Sequence, residues 1–264
     1  MRKALVFMQT VLIFVPVVGA MIVLIPLGFM VFVLSIAGLQ KPMSMLMYRA
    51  AQGWAHFMLF CTGCKLSVSG RENIPKKGGL CFVSNHGSIF DIVLHLAYAG
   101  RPIGFIAKKE LAYIPLLNMW IYLLGGLFLN RGNMRSAVRT INKGIKRIKD
   151  GRAMIIFPEG RRSRGQGLLP FHPGSLRLAT EAEAPIVPIA LAGSYDVFER
   201  YYRLNPGPVK VVFGKVIPTA GLSGDEKKRV LADRVRNVIA EALGGAAGPA
   251  LEETAETFPA VQDP

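Results

Sequence analysis

Three short apolar runs of this chain end directly in clusters of polar residues, and this repeated arrangement constrains the fold more than any other feature. The runs cover residues 80–83, 127–129 and 153–157, and the clusters cover 84–91, 130–131 and 158–164. Short apolar runs bounded by turn residues are typical of buried strands. In an open α/β sheet, sites form at the carboxyl ends of the strands. The pattern therefore predicts that the three polar clusters converge on one site.

The segments between these runs complete an α/β pattern. Further strands are predicted at 66–69, 103–107, 186–190 and 209–213, and helices at 42–62, 116–124, 134–149, 174–183 and 224–243. Buried strands that alternate with helices favour a mixed, largely parallel sheet flanked by helices on both faces. We predict one α/β domain over residues 65–244. The acidic tail, 245–264, is rich in Ala, Gly, Pro and Glu, which predicts disorder.

The first part of the chain has the composition of a membrane anchor. No residue between Lys3 and Lys41 is charged, and most are large and apolar. This segment is too long for one straight span and long enough for two short ones. Pro16 and Pro26, with Gly19 and Gly28, bracket its middle and favour a break there. We predict a membrane helical hairpin at 1–41, either spanning or re-entrant, followed by an interfacial amphipathic helix at 42–64 that contains Trp54.

The net charge and the sequence motifs limit the kinds of function that this chain can have. The net charge of +15 favours a polyanionic partner, such as nucleic acid, an anionic membrane face or a phosphorylated substrate. The apolar N-terminus favours the membrane, and no nucleic-acid-binding module is recognisable. The sequence has no Gly-x-Ser-x-Gly elbow and no Gly-rich nucleotide-binding fingerprint. Its three cysteines and four histidines lack metal-site spacing, so we expect no metal and no cofactor.

His86 and Asp91 are the first candidates for chemistry. His86 lies in the turn after the strand at 80–83, and Asp91 lies in the first turn of the following helix. In this arrangement the carboxylate can fold back onto the imidazole and fix its tautomer, as an orienting acid does for a general base. The alternative is structural, because Ser88 and Asp91 have the spacing of a capping box and a histidine in a turn is usually a polar surface residue.

The cluster at 158–164 combines a Pro/Gly turn with three arginines. Guanidinium groups bind phosphate bidentately, and Gly160 allows backbone N–H groups to approach an oxyanion. Glu159 can hold one of the neighbouring arginines by an ion pair. The alternative is a solvated basic loop, and Arg131 alone would usually be surface charge.

Taken in order, these segments resemble the sequence blocks of the glycerolipid acyltransferase family, and most closely those of the bacterial 1-acylglycerol-3-phosphate acyltransferases. The matching blocks are Asn85-His86 with Asp91, Lys109-Glu110-Leu111 with Ile114-Pro115, Phe128-Leu129-Asn130-Arg131, Phe157-Pro158-Glu159-Gly160 with Arg162-Ser163, and Val187-Pro188-Ile189. Each block alone is a weak signal, but all of them in this order and spacing are specific. The resemblance covers about residues 65–217.

The resemblance implies transfer of an acyl chain from acyl-CoA or acyl carrier protein, as co-substrate, to the 2-hydroxyl of lysophosphatidate, giving phosphatidate. It implies that His86 is the general base and Asp91 its partner. The resemblance to bacterial enzymes points to the bacterial inner membrane, and the basic ends of the predicted hairpin, Arg2-Lys3 and Lys41, place the domain on its cytoplasmic face by the positive-inside rule. The residues that it implies in substrate binding are Asn85, Lys109, Arg131, Glu159, Gly160, Arg162 and Ser163.

The sequence departs from the family pattern at two positions, and these departures bear on the identity of the acceptor more than on the type of reaction. Arg161 stands where the family commonly has threonine, and Asn118 stands where it commonly has glycine. Other acceptors therefore stay open, namely glycerol 3-phosphate, a lyso-ornithine lipid or another lysophospholipid. A non-catalytic, membrane-bound lipid-binding protein is the further alternative.

The tetrahedral intermediate of acyl transfer also needs N–H donors, for which the turn around His86 is the candidate.

Overall fold

The computed structural model describes residues 15, 18, 19, 22, 23, 25–36, 40–221 and 225–244. The strands are β1 Lys65–Ser69, β2 Leu80–Ser84, β3 Ile103–Lys108, β4 Leu127–Leu129, β5 Ala153–Ile156, β6 Ile186–Ala192 and β7 Pro208–Phe213. The helices are α1 Ile25–Ile36, α2 Gln40–Thr62, α3 Asp91–Tyr98, α4 Leu117–Leu123, α5 Met134–Lys149, α6 Arg177–Thr180, α7 Ser194–Val197 and α8 Asp225–Ala242. Short 3-10 helices occupy Arg71–Asn73, Lys109–Tyr113 and Pro173–Leu176.

The described strands form one sheet in the order β1-β7-β6-β2-β5-β3-β4. Neighbouring strands are parallel except for the antiparallel pair β6 and β7. The predicted mixed, largely parallel sheet is therefore confirmed. Because β2, β3, β4 and β5 run in the same direction, the polar clusters that follow β2, β4 and β5 share one edge of the sheet.

Alternate residues of the central strands enter two separate cores. In β2, Leu80 and Phe82 join the core beneath α2 and α3, whereas Cys81 and Val83 join the core beneath α5, α6 and α8. Side chains of a strand point alternately to opposite faces, so an uninterrupted apolar run is the pattern expected of a strand covered on both sides. Helices on both faces of the sheet are thus confirmed.

The predicted helix at 174–183 is shorter than expected. Its first residues form the 3-10 helix Pro173–Leu176, and α6 ends at Thr180. Glu183 has a φ of 50°, in the left-handed region, and Pro185 precedes β6. A left-handed residue and a following proline both interrupt the α-helical hydrogen-bond ladder, so the chain turns into the sheet earlier than the apolar pattern indicates.

At the N-terminal end, α1 packs with α2 and α4 around Val31, Met47 and Trp120, which are buried. Pro26 and Gly28 both lie inside α1, whereas the middle of the segment, where the break is expected, includes residues 20, 21 and 24, which lie outside the described residues.

The predicted membrane hairpin is only partly covered by the structure. Among the described residues, no helix combines the length and the apolar character needed to cross a bilayer. Residues 1–14, 16, 17, 20, 21, 24 and 37–39 of the hairpin lie outside the described residues, as does the predicted tail at 245–264. Trp54 of α2, predicted to lie at the membrane interface, is half-buried against the core beneath α2 and α3.

Candidate active site

The turn between β2 and α3 brings His86 and Asp91 into contact. The Nδ1 atom of His86 lies 2.8 Å from Oδ2 of Asp91, and the backbone N–H of Ser88 donates to the same oxygen at 2.9 Å. Asp91 is fully buried, whereas the His86 side chain is 18% exposed. The carboxylate thus caps the turn and orients the imidazole at once. No described group bonds to Nε2 of His86, so this is the nitrogen that a substrate can reach.

Phe157 fixes the plane of the His86 ring. Its ring stacks on the imidazole with 4.0 Å between centroids and 18° between planes. Phe157 directly follows β5, the neighbour of β2, which places its side chain beside the turn. The sequence identified Phe157 only as the end of a strand. Its contact with His86 depends on the order of the strands, which the local sequence does not contain.

Glu159 has a different role from the arginine partner that the sequence suggested. Its Oε1 accepts the backbone N–H of His86 at 2.7 Å, and its Oε2 accepts that of Leu169 at 3.2 Å. The residue is 3% exposed. Burial raises the pKa of Glu159 to about 7, although both N–H donors act in the opposite direction. Glu159 therefore ties the loop after β5 to the turn that carries His86.

Replacing Glu159 with glutamine is expected to flatten the pH dependence of stability between about pH 4.5 and pH 7. Burial raises the pKa of folded Glu159 from 4.5 to about 7, so the folded state holds this proton more tightly than the unfolded state does. The stabilising contribution is then complete below pH 4.5 and is lost as the pH rises through 7. The loss is on the order of 1–3 kcal/mol and is absent in Glu159→Gln. Denaturant unfolding at several pH values measures it.

The matched control is Glu181→Gln, which removes a less buried carboxylate that pairs with Arg177 one helical turn away. Its pH profile should run parallel to that of the wild type. Parallel profiles for the wild type and Glu159→Gln would contradict the assignment.

Two further residues of the predicted site hold the turn in place. The amide of Asn85 donates to the carbonyl of Leu191 at 2.9 Å and accepts the N–H of Leu191 at 2.8 Å, so it bonds the turn to β6. The backbone N–H of Ser163 donates to the carbonyl of His86 at 2.7 Å. Both side chains are buried. The contacts of Asn85 and Ser163 thus make the turn rigid from two sides.

The two predicted arginines are held by different partners. Arg131 donates to the carbonyl of Gly160, whose φ of +69° is readily adopted only by glycine. Arg162 forms an ion pair with Glu199, and the other oxygen of Glu199 accepts the N–H of Ile89 at 2.7 Å. The sequence analysis missed Glu199, because no local signal connects this residue, beyond α7, to a turn more than a hundred positions earlier.

Lys109 lies at the same edge of the sheet but apart from these contacts. It begins the 3-10 helix Lys109–Tyr113 that follows β3, and it is half-buried. In the described part of the chain it forms no hydrogen bond or ion pair with the other predicted site residues. Its ammonium group is therefore available to a ligand at this edge.

The turn around His86 supplies fewer N–H donors than expected. The N–H groups of His86, Ser88 and Ile89 already donate to the carboxylates of Glu159, Asp91 and Glu199. The expectation that this turn offers oxyanion donors is wrong for these three groups.

Over the described ranges, no cluster of three His, Cys, Asp or Glu side chains is placed to hold a metal ion.

Comparison with known proteins shows which family this chain belongs to. Residues 65–192 match the family model described as Acyltransferase. The 1-acyl-sn-glycerol-3-phosphate acyltransferase of Borreliella burgdorferi is 33% identical over 186 residues, which cover 70% of this chain and 74% of that protein. The protein of the same name from Saccharomyces cerevisiae is 34% identical over 197 residues, which cover 73% of this chain and 64% of that protein.

A bacterial relative and a solved structure extend the comparison. The 1-acyl-sn-glycerol-3-phosphate acyltransferase of Escherichia coli is 30% identical over 184 residues, with 69% of this chain and 74% of that protein covered. The crystal structure of the 1-acyl-sn-glycerophosphate (LPA) acyltransferase PlsC from Thermotoga maritima matches with a TM-score of 0.74 at 28% identity. That match covers 94% of this chain and 100% of the other.

Proposed function

The chain belongs to the acyltransferase family, and from this membership we propose that it acylates the 2-hydroxyl of 1-acylglycerol 3-phosphate to give phosphatidate. The proposed donor is an acyl thioester, either acyl-CoA or acyl carrier protein, and no further cofactor is involved. The observation that carries the proposal is the contact between His86 and Asp91 at the carboxyl edge of the sheet, with Nε2 of His86 left open to a substrate.

The proposed mechanism uses His86 as a general base. A hydroxyl is a poor nucleophile at neutral pH, so Nε2 of His86 removes its proton as the oxygen attacks the thioester carbonyl. Asp91 holds the imidazole through Nδ1 and stabilises the imidazolium that forms. When the tetrahedral intermediate collapses, the C–S bond breaks and His86 returns the proton to the thiolate. The products are the ester and a free thiol, without a covalent acyl-enzyme.

The basic residues at the same edge are proposed to bind the phosphate of the acceptor. Arg131 and Arg162 are each held by one partner, Gly160 and Glu199, which limits their freedom before a ligand arrives. Planar guanidinium groups suit a phosphate because they donate two parallel hydrogen bonds. Lys109 at the end of β3 and the exposed Arg161 add positive charge to this edge.

An apolar groove next to this edge is proposed to hold the acyl chain of a lipid substrate. It has a volume of about 490 Å³, lies between α1 and α4, and extends to Phe128 in β4. Its lining is almost entirely apolar, with Ile25, Phe29, Met119, Tyr122 and Leu123 among its residues. A hydrocarbon chain gains about 0.8 kcal/mol for each CH₂ group that it buries, so such a groove favours long chains.

Replacing Gly28 with leucine is expected to reduce activity with long acyl chains by roughly tenfold relative to short ones, about 1.4 kcal/mol of transition-state binding. A Cβ atom at Gly28 would lie 3.1 Å from Cδ1 of Leu123 and 3.6 Å from Cε of Met119, so a longer side chain enters the groove. The measurement is kcat/KM for a series of chain lengths, varied in the donor and in the acceptor separately.

The matched control is Gly53→Leu, which makes the same change in α2, where a Cβ atom meets nothing within 4 Å. It should leave the chain-length profile unchanged. An unchanged profile for Gly28→Leu in both series would remove the groove from the proposal.

A position at the cytoplasmic face of a bacterial inner membrane is also proposed. Phe29 of α1 is 67% exposed, Phe60 of α2 83% and Tyr113 78%, and apolar side chains of this size suit a lipid surface. The hairpin at 1–41 and the interfacial helix at 42–64 would anchor the domain at 65–244 there. Both lipid substrates reside in the bilayer, so an anchored domain meets them at high local concentration.

The experiment that tests the function is an acyl-transfer assay on washed membranes that contain the wild type. Acyl-CoA and acyl carrier protein thioesters are supplied separately, with lysophosphatidate, glycerol 3-phosphate, a lyso-ornithine lipid or another lysophospholipid as acceptor. Formation of phosphatidate from lysophosphatidate is the expected result. Preference for another acceptor would correct the substrate, and lipid binding without transfer from either donor would favour a non-catalytic role.

A further inference from the structure

His95 is buried one helical turn beyond Asp91, and its two ring nitrogens have no hydrogen-bond partner among the described residues. The residue is 0% exposed, and both Nδ1 and Nε2 lack a hydrogen bond to any described group. A buried polar atom without a partner costs about 1–3 kcal/mol, so native proteins rarely leave one unsatisfied. A histidine in this position therefore calls for an explanation beyond packing.

A second buried atom without a hydrogen-bond partner among the described residues belongs to Asp91, one helical turn before His95. Asp91 uses Oδ2 for both His86 and Ser88, and its Oδ1 is buried without a hydrogen-bond partner in the described part of the chain. Residues four apart in a helix lie on one face, with Cβ atoms about 5–6 Å from each other. An unpaired carboxylate oxygen and an unpaired imidazole thus share one face of α3.

The aromatic ring of Phe157 connects the two histidines. It stacks on His86, and its centroid lies 5.6 Å from that of His95 with 47° between the ring planes. Burial, and to a smaller extent the His86 imidazole, lowers the pKa of His95 to about 3. His95 is therefore neutral at physiological pH, and a neutral imidazole carries one N–H donor.

We propose that His95 is a positioning residue for the proposed acyl transfer, with its N–H linked to Oδ1 of Asp91 through one bridging water molecule. This bridge gives each carboxylate oxygen its own donor and fixes the orientation in which Oδ2 meets Nδ1 of His86. A hydrogen-bonded water bridging two buried polar groups is common in proteins and does not weaken such an arrangement. The inference rests on the proposed function, since it assigns His95 a part in orienting the base.

The test compares three substitutions of His95. His95→Leu replaces the imidazole with an apolar side chain that cannot donate a hydrogen bond. His95→Asn and His95→Gln instead place an amide N–H near the positions that Nδ1 and Nε2 of His95 occupy in the wild type. We expect His95→Leu to fold with a lowered melting temperature, because Oδ1 of Asp91 loses its donor, and to lower kcat by about 10- to 100-fold, with KM for the acceptor within threefold. At least one amide variant should recover most of kcat.

A matched control and a spectroscopic readout separate this role from packing. His56→Leu removes an exposed imidazole that contacts Tyr98 at the end of the same helix, and it should leave kcat unchanged. In the wild type, ¹⁵N NMR of labelled histidine should show a solvent-protected His95 N–H whose shift changes in Asp91→Asn. This signal does not depend on activity, so it tests the bond even if His95→Leu fails to fold.

The outcomes distinguish the inference from the proposed function. A wild type without transferase activity would overturn the function while leaving the NMR test of the bond intact. An active wild type overturns the inference if His95→Leu has the same kcat, if neither amide variant is more active than His95→Leu, or if the His95 N–H exchanges freely with solvent.

Discussion

Replacing His86 with alanine is expected to lower kcat for acyl transfer by about a thousandfold or more. General-base catalysis contributes roughly 10²- to 10⁴-fold, and no other described side chain offers a nitrogen in the position of His86 Nε2. KM for the acceptor should change little, because the proposed phosphate contacts lie on Arg131 and Arg162. The measurement is phosphatidate formation by the purified variant over a range of acceptor concentrations.

The control for this substitution is His56→Ala, which removes an exposed histidine from α2. It should retain full activity, and both variants should keep the melting temperature of the wild type. A His86→Ala protein with more than about a tenth of the wild-type kcat would rule out His86 as the base. A loss that appears only in KM would assign His86 to acceptor binding instead.

Replacing Asp91 with asparagine is expected to lower kcat by about 10²- to 10³-fold, the second largest effect. The neutral amide can no longer stabilise the imidazolium. If its NH₂ group faces Nδ1 of His86, it also forces the proton onto Nε2, which then cannot accept one from the substrate. Asp91 is fully buried and lies behind the imidazole, so KM should be unaffected. Steady-state kinetics of the variant measure both parameters.

The control for this substitution is Asp150→Asn, which neutralises an exposed carboxylate that pairs with Lys146 one helical turn away. Activity within twofold of the wild type is expected there. If Asp91→Asn also stayed within about threefold, the contact between Asp91 and His86 would serve only to cap the turn before α3.

The strand and helix pattern could be predicted because burial imposes it on every central element. Strands β2 and β5 enter a core on both faces, and a strand of this kind must be apolar at consecutive positions. Helix α5, predicted at 134–149, spans the same residues in the structure, since its apolar face recurs with the helical period and Asn133 caps its N-terminus. The long helix predicted at 174–183 was wrong, because the left-handed Glu183 and the following Pro185 end the helix earlier than its apolar pattern indicates.

The site was predicted as a set of residues but not as a set of contacts. The spacing between His86 and Asp91 permitted their hydrogen bond, which the structure confirms at 2.8 Å. The partner of Glu159 was wrong, since the carboxylate bonds to the backbone of His86 and not to a neighbouring arginine. Phe157, Glu199 and His95 were missed as parts of this site, because each depends on which strands and loops are neighbours.

The sequence by itself determined the α/β class, the edge of the sheet at which the polar clusters meet, and the histidine–carboxylate pair. These follow from periodicity, strand direction and short-range spacing, which act within about ten residues of the chain. Only the tertiary structure decided what surrounds that pair: the ring stacked on His86, the buried Glu159 beneath the turn, and Glu199 paired with Arg162. Such contacts join segments that are distant in sequence, and they form only after the order of strands has brought their backbones together.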